Sequence, residues 1–213
     1  MASQDSIVYV VDDDRRIRES VCALLSTYDL NTIAFTSATE YLAHPKLDVP
    51  SCLILDVELP DINGLDLQSR FEENFPPRIV FISGHGDIPT SVRAMKAGAV
   101  DFLVKPFRQE ELMRAVRTAI ELDRAARQKI TELAELNRRL SSLTRREREV
   151  LPLVVSGLLN KQAAAELGIT ETTIQIHRGQ IMKKMMVESL AELVRIAGTL
   201  EIPMTRSRHE QKR

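Results

Sequence analysis

Four short apolar stretches of this chain end abruptly in residues whose side chains can take part in chemistry. Those residues are Asp12 and Asp13 after the first stretch, then Asp56, Ser83 and Lys105. A single acid in such a position is weak evidence, because a carboxylate there can simply cap a loop. Three carboxylates, a hydroxyl and an ammonium at one place would suit a divalent cation and a phosphoryl group. Asp56 would then be the nucleophile that forms an acyl phosphate.

These residues converge only if the apolar stretches are neighbouring strands of one sheet. The stretches alternate with segments whose apolar residues recur at helical spacing, which predicts a doubly wound α/β fold with a five-stranded parallel sheet. We predict strands at residues 7–11, 32–35, 53–57, 78–82 and 100–104. Right-handed crossovers would place their carboxyl ends along one edge, where open α/β sheets bind ligands.

The acids at this edge need a partner, because crowded carboxylates repel one another unless their pKa values rise or a cation lies between them. Oxygen ligands in an open site favour Mg²⁺. Each residue also has a structural interpretation, with Ser83 as a helix cap and Lys105 as a solvated charge. Their joint placement favours the functional interpretation. Asp14 alone is interpreted as loop polarity.

Recognisable stop signals bound several of the predicted helices. The Pro76–Pro77 pair ends a helix over residues 65–73, and Gly98 is the predicted C-cap of a helix over residues 88–97. From residue 109 to residue 140, apolar residues recur every three or four positions without Gly or Pro, which predicts one long linker helix. Its apolar stripe would either pair with a second copy or lie on one of its own domains, and the sequence leaves both open.

Charge is unevenly distributed along the chain. Residues 1–108 carry 10 Lys/Arg against 16 Asp/Glu, whereas residues 144–213 carry 12 against 8. An acidic first part and a basic last part indicate two modules with different partners. Cys22 and Cys52 share no metal-ligand spacing and are expected to be buried thiols. With no basic, apolar leader and no apolar run of the ~18–20 residues that span a membrane, we expect a cytoplasmic protein without a membrane partner.

Four short helices are predicted after the linker. Thr144 and Glu147 form a capping box that opens the first, and residues 160–167 form the second. A turn at Gly168 and an N-cap at Thr170 then lead into a third helix, and two helices joined in this way are the helix-turn-helix plan. A second capping box opens a fourth helix at Ser189. A protein-docking bundle is the alternative, but the basic charge favours nucleic acid.

Residues 5–125 resemble the receiver domain of two-component response regulators, especially of the FixJ-like branch. The matching segments are Val10-Val11-Asp12-Asp13, Leu55-Asp56-Val57-Glu58-Leu59-Pro60, Ile82-Ser83-Gly84-His85-Gly86 and Phe102-Leu103-Val104-Lys105-Pro106-Phe107. The resemblance implies that a sensor histidine kinase transfers a phosphoryl group to Asp56. It also implies a Mg²⁺ ion held by Asp13, Asp56 and the backbone carbonyl of Glu58, with Asp12 acting largely through water.

The same resemblance assigns roles to residues around the acids. Ser83 and Phe102 fall on the family's hydroxyl and aromatic switch positions, and Lys105 on its phosphoryl-binding position. The Lys105–Pro106 peptide is often cis in the family, and His85 is interpreted as a feature of its loop rather than as a metal ligand. Phosphorylation is expected to produce a homodimer through helix 88–97, the strand that ends at Lys105 and the helix after it.

Residues 141–201 resemble a LuxR-type DNA-binding domain, beginning with Leu143-Thr144-Arg145-Arg146-Glu147-Arg148-Glu149-Val150-Leu151. The residues implied to contact double-stranded DNA are Lys161, Thr172, Thr173, Gln175, Ile176, His177, Arg178, Gly179, Lys183 and Lys184. Of these, Lys161, Lys183 and Lys184 are expected to contact DNA phosphates. Many relatives carry Lys at the positions of Gln175 and Gly179, so base readout should differ here.

The leading hypothesis is a phosphorylation-dependent transcriptional regulator, not an enzyme, with RNA polymerase as a further partner. One alternative is an aspartyl-phosphate hydrolase, although that class wants a second Asp two residues after the nucleophile, where this chain has Glu58. The other is a module that docks RNA or protein. Residues 202–213 are expected to form a disordered basic tail.

Overall fold

The computed structural model describes residues 6–71 and 77–203. The chain divides into two compact units, Met1–Gln128 and Lys129–Arg213, and each has its own hydrophobic core. The predicted stop at Pro76 and residues 204–213 of the predicted basic tail lie outside the described residues.

The first unit is built on a five-stranded sheet in which every pair of neighbouring strands is parallel. The strands are β1 (Ile7–Val11), β2 (Asn31–Phe35), β3 (Ser51–Asp56), β4 (Ile79–Ser83) and β5 (Asp101–Val104). Their order, β2-β1-β3-β4-β5, confirms the predicted doubly wound fold. The three central strands are almost entirely buried, as their uninterrupted apolar sequences require.

Helices cover both faces of this sheet. They are α1 (Arg15–Ser26), α2 (Ala38–Ala43), α3 (Gly64–Gln68), α4 (Ile88–Lys96) and α5 (Gln109–Ser141). Because successive strand residues point to opposite faces, Leu53 and Leu55 belong to one core cluster while Ile54 belongs to the other. The predicted helix at residues 109–140 is present as α5, one uninterrupted helix of 33 residues.

One helix is shorter than its sequence predicted. The pattern predicted a helix over residues 65–73, but α3 ends at Gln68, and residues 69–71 are not helical. The backbone N–H groups of Arg70 and Phe71 donate to carbonyls three residues earlier, which tightens the last turn. The Ser69 hydroxyl donates to the Asp66 carbonyl (2.7 Å) and so competes with the helical pattern.

Up to residue 203, the second unit has four helices after α5: α6 (Arg145–Val155), α7 (Asn160–Leu167), α8 (Glu171–Met185) and α9 (Leu190–Thr199). The capping box of Thr144 and Glu147 opens α6 as predicted. Gly168, at a φ of +65°, makes the turn between α7 and α8, and the Thr170 hydroxyl caps α8. At α9, Ser189 accepts from the Glu192 N–H, but the Glu192 carboxylate accepts from Glu188, so the second capping box is incomplete.

A glycine closes the loop that follows β3. The Gly64 N–H donates to the Val57 carbonyl (2.9 Å), which brings the start of α3 back against the end of β3. A Cβ atom at position 64 would lie 2.4 Å from the carbonyl oxygen of Asp56, and backbone cannot yield as a flexible side chain can. Only glycine therefore allows this approach.

We predict that Gly64→Ala destabilises the first unit by about 1–3 kcal/mol, because the added methyl group overpacks the backbone of β3. Urea unfolding followed by tyrosine fluorescence measures this, since all three tyrosines lie in the first unit and the chain has no tryptophan. Gly84→Ala is the control, because a Cβ atom there meets nothing within 4 Å. Equal stability of the two variants would contradict the steric argument.

Candidate functional site

The carboxyl ends of β1 and β3 bring three acids together. Val11 pairs with Leu55 in the parallel ladder, so the next residues, Asp12 and Asp56, end neighbouring strands. Both are buried, whereas Asp13 is exposed. One carboxylate oxygen from each of the three acids lies within 4.8 Å of the others.

Lys105, the residue after β5, supplies the counter-charge. Its Nζ lies 2.6 Å from Asp12 Oδ2 and 2.6 Å from Asp56 Oδ2. Burial alone would lower the pKa of Lys105, but its hydrogen bonds to the two carboxylates raise that pKa above its usual value. Burial raises the pKa of Asp12, although Lys105 opposes the rise. The Lys105–Pro106 peptide bond is cis.

Backbone donors hold the other oxygens of the two buried acids. The Asp14 N–H donates to Asp12 Oδ1 (2.8 Å), and the Glu58 N–H donates to Asp56 Oδ1 (3.0 Å). Both carboxylates are therefore fixed by two donors each. The Asp14 side chain itself caps α1 by accepting from the Arg16 N–H (2.7 Å), which is a structural role rather than mere loop polarity.

Ser83, at the end of β4, turns its hydroxyl toward its own loop. The hydroxyl donates to the His85 carbonyl (2.8 Å) and accepts from the His85 N–H (3.0 Å). It does not cap α4, because Asp87 does so. Sequence reasoning missed that His85 Nδ1 lies 2.7 Å from Glu58 Oε1, a contact that joins the two loops beside the acids. Glu58 and His85 are 27 positions apart, and no local sequence pattern indicates that they pair.

Phe102 lies in β5 opposite Phe81, and the two ring centroids are 6.3 Å apart. Its ring is half-buried, between the core and the surface formed by α4 and β5. That surface exposes apolar side chains, namely Ile88, Val92, Met95 and Val104. A cluster of exposed apolar side chains on one face is typical of a protein-binding surface.

In the second unit, an exposed stripe of α8 combines polar and small residues with the large apolar side chain of Ile176. Its members include Thr172, Gln175, Ile176, Gly179 and Lys183, which recur at steps of three or four. On the opposite face, Ile174, Ile181 and Met185 are fully buried in the core. The helix can therefore present the stripe to a groove while its other face holds it in the unit.

The remaining residues of the predicted DNA interface differ in exposure. Lys161 is exposed on α7, whereas Thr173, His177 and Arg178 are half-buried on α8. Thr173 also hydrogen-bonds to the capping Thr170 through both side-chain oxygens (2.8 Å). The half-buried residues are therefore less accessible to a ligand than the exposed stripe.

Lys184 has a partner inside the protein. Its Nζ lies 2.7 Å from Oε2 of the buried Glu147, which also accepts from the Thr144 N–H (2.7 Å). Burial would raise the pKa of Glu147, but the hydrogen bonds from Lys184 and Thr144 lower it. Lys184 was predicted at a DNA phosphate, yet its ammonium already neutralises a buried carboxylate, because a buried charge must be paired.

No helix in residues 6–71 and 77–203 combines the length and the apolar character needed to cross a membrane.

Comparison with known proteins adds two family matches. The family described as response regulator receiver domain matches residues 8–117, and the LuxR family of bacterial regulatory proteins matches residues 141–197. These matches cover the unit that holds the acid cluster and the unit that holds α8.

Full-length relatives share both parts. Nodulation protein W of Bradyrhizobium diazoefficiens is 48% identical over 99% of this chain and 93% of its own length. Response regulator protein TodT of Pseudomonas putida is 44% identical over 94% of this chain and 89% of its own. The transcriptional regulatory protein FixJ of Rhizobium meliloti is 37% identical over 91% and 95%.

Two solved structures of response regulators are also similar to this chain. The response regulator StyR has a TM-score of 0.83 and 42% identity, covering 92% of this chain and 99% of its own. Full-length FixJ from B. japonicum has a TM-score of 0.56 and 36% identity, covering 94% and 99%.

Proposed function

The chain belongs to the two-component response regulators that join a receiver domain to a LuxR-type DNA-binding domain, and we propose that Asp56 is its phosphoacceptor. It is a phosphorylation-dependent transcriptional regulator, and its receiver domain implies a histidine kinase as partner. The observation that carries the proposal is the placement of Asp56. Its carboxylate is buried at the end of β3 and held by Lys105 and the Glu58 N–H, beside Asp12.

In the proposed reaction, a carboxylate oxygen of Asp56 attacks the phosphorus of a phosphohistidine on the kinase. The phosphorus–nitrogen bond breaks, and the imidazole leaves with its electron pair while an acyl phosphate forms on Asp56. The Lys105 ammonium would stay beside Asp56 and stabilise the negative charge of the phosphoryl oxygens. Ser83 would release the His85 carbonyl and donate its hydroxyl hydrogen to one of those oxygens.

The donor set of the acid cluster fits Mg²⁺. It offers carboxylate oxygens from Asp12, Asp13 and Asp56, and hard oxygen ligands in an open site are those that Mg²⁺ prefers. We propose that the backbone carbonyl of Glu58 completes the protein ligands. When bound, the ion would neutralise charge on the phosphoryl group.

The hydrolase alternative has less support. A hydrolase of this kind wants a second Asp two residues after the nucleophile, where this chain has Glu58, and the Glu58 carboxylate lies against His85. The family match also points to a transcription regulator. A regulator that binds DNA and receives its signal from a kinase would act in the cytoplasm and contact RNA polymerase.

We further propose that phosphorylation makes the chain a homodimer through α4, β5 and the start of α5. Ser83 moving toward the phosphoryl group would leave space into which the half-buried Phe102 can turn. Such a movement alters the exposed apolar surface next to it, and a few kcal/mol of differential contact is enough to shift a monomer–dimer equilibrium.

The dimer would read an inverted repeat with two copies of α8 in successive major grooves, because a symmetric dimer imposes its symmetry on the site. Gln175 can bond an adenine edge, and the exposed Ile176 can contact a thymine methyl group. Lys183 and Lys161 are the exposed cations for phosphates. Since Lys184 is paired with Glu147, a role for it at the DNA is secondary.

Asp56→Asn should abolish phosphorylation, because Asp56 ends β3, the middle strand of the sheet, and is the proposed nucleophile. Incubation with acetyl phosphate and Mg²⁺, followed by intact-mass measurement, should add one hydroxylamine-sensitive phosphoryl group to the natural chain and none to the variant. Asp29→Asn is the control, since Asp29 is exposed in a left-handed turn that Asn also adopts. A label retained by Asp56→Asn would refute the assignment.

Asp13→Ala should weaken Mg²⁺ binding about tenfold or more. Removing a residue that only orients a metal ligand lowers metal affinity by about tenfold or more, and removing a ligand itself should cost at least as much affinity. Isothermal titration calorimetry measures this directly. Asp14→Asn provides the matched control next to it, because its side chain caps α1 and is not proposed as a ligand. If the two variants bound Mg²⁺ equally, Asp13 would not be a ligand.

Val92→Glu should keep the activated chain monomeric, because it buries a charge in the proposed dimer contact. Sedimentation equilibrium with a beryllofluoride mimic should show dimers of the natural chain and monomers of the variant. Leu42→Glu on α2 serves as control, with 46% exposure against 44% for Val92. A natural chain of constant mass over a wide concentration range would rule out this switch.

Gln175→Ala should relax preference at one base position per half-site, at roughly 1–3 kcal/mol. Lys183→Ala should instead lower affinity for all sequences and flatten the dependence of log Kd on log salt concentration by about 0.9. Selection of duplexes from a random pool and binding titrations at several salt concentrations distinguish the two effects. An unaltered site for Gln175→Ala with an altered one for Lys183→Ala would reverse the assignments.

A further inference from the structure

The C-terminal end of α8 is held from outside the helix. The last carbonyls of a helix lack partners within it, and at this end the Met185 carbonyl accepts from Arg139 Nη1 (3.3 Å). Arg139 belongs to the last two turns of α5. The next residue, Met186, adopts a left-handed conformation at a φ of +56°, which ends the helix without the usual glycine.

Arg139 is itself fixed in place. Its Nε lies 2.9 Å from Glu135 Oε1 one turn earlier on α5, and its side chain is 22% exposed. The guanidinium therefore spans two partners, with one nitrogen on a carboxylate and another on the end of α8. The planar guanidinium holds its two partners with separate nitrogens at a fixed angle, whereas a lysine would present one ammonium on a flexible stem without that fixed angle.

The preceding residue provides a natural comparison. Arg138 also binds Glu135, at 2.7 and 2.8 Å, but its side chain is 72% exposed. Within residues 77–203 the Arg138 side chain makes no hydrogen bond to α8. The two arginines thus share charge, carboxylate and helix, and differ in whether they touch α8.

The orientation of α8 depends on the contacts that hold its C-terminal end. Lys184 is tied to Glu147 of α6, and Met185 lies in the core, so polar contacts from α5 and α6 converge on the last turn. The proposed reading residues Gln175 and Gly179 lie ten and six residues before Met185 on the same helix, which is about three and two turns. A small change of angle at the anchored end would move these residues relative to base edges, which hydrogen bonds of fixed length do not tolerate.

We propose that Arg139 is a positioning residue for DNA reading: it sets the angle of α8 through the Met185 carbonyl without touching DNA itself. Arg139 lies outside residues 141–197, which match the LuxR family, so the reading unit extends into the linker helix. The inference rests on the proposed function, because it assumes that α8 reads bases.

The test compares full-length Arg139→Ala, Arg139→Lys and Arg138→Ala with the natural chain, all activated with beryllofluoride. The probes are a duplex selected from a random pool by the natural chain and a scrambled duplex of equal length and composition, each titrated at three salt concentrations. Arg139→Ala should lose about tenfold in affinity for the selected duplex, which is the effect of one mismatched base pair. Its affinity for the scrambled duplex and its salt slope should stay unchanged.

The other two variants distinguish the contact of Arg139 with α8 from the loss of a positive charge on α5. Arg138→Ala should behave as the natural chain, and Arg139→Lys should recover only part of the loss. A second selection with Arg139→Ala should return a less sharply defined site, a change that loss of stability alone would not produce.

Three results would overturn the proposal. A flatter salt slope for Arg139→Ala would make Arg139 a phosphate contact. Equal losses on both duplexes, with faster hydrogen exchange throughout α8, would make its role one of stability only, and equal losses in Arg138→Ala and Arg139→Ala would remove the special role of Arg139. If the natural chain selected no sequence at all, the proposed function itself would fail, which is a distinguishable result.

Discussion

Two carboxylates, those of Asp12 and Asp56, lie side by side in an interior that excludes most water, and the Lys105 ammonium lies between them. Buried like charges repel strongly, so the edge of the sheet holds this arrangement only while a cation and backbone donors compensate it. The fold supplies these groups from three strands that are far apart in sequence. The strand order and the tight loop at Gly64 serve to bring them together.

The second unit also contains a buried acid that is paired with a lysine, but the pair has a different role. Glu147 is as buried as Asp56, and Lys184 and the Thr144 N–H compensate it. In the first unit the proposed role of the compensated acid is that of a nucleophile, because the exposed Asp13 beside it leaves access for a cation or a phosphoryl group. In the second unit the compensated acid fastens α8 to α6. The pairing of a buried acid with a lysine thus serves the proposed chemistry in one unit and helix packing in the other.

Sequence patterns predicted the fold and the members of the acid cluster, because strand ends and helix periodicity are local signals that topology then places along one edge. They predicted the end of α3 wrongly, since the Ser69 hydroxyl bond that competes with the helix is not visible in periodicity. The partner of Lys184 lies 37 residues away and that of Arg139 46 residues away. Such pairs depend on how helices pack, and a single sequence carries no signal for them.

Gly179, on the exposed face of α8, lowers the stability of the protein. A glycine inside a helix costs about 1 kcal/mol relative to alanine, and a Cβ atom at this position would meet nothing within 4 Å. Nearly any other residue would therefore make the free protein more stable. Laboratory evolution for heat resistance alone would select replacements of Gly179, and because Gly179 belongs to the proposed DNA interface, the thermostable regulators would then bind a different set of promoters.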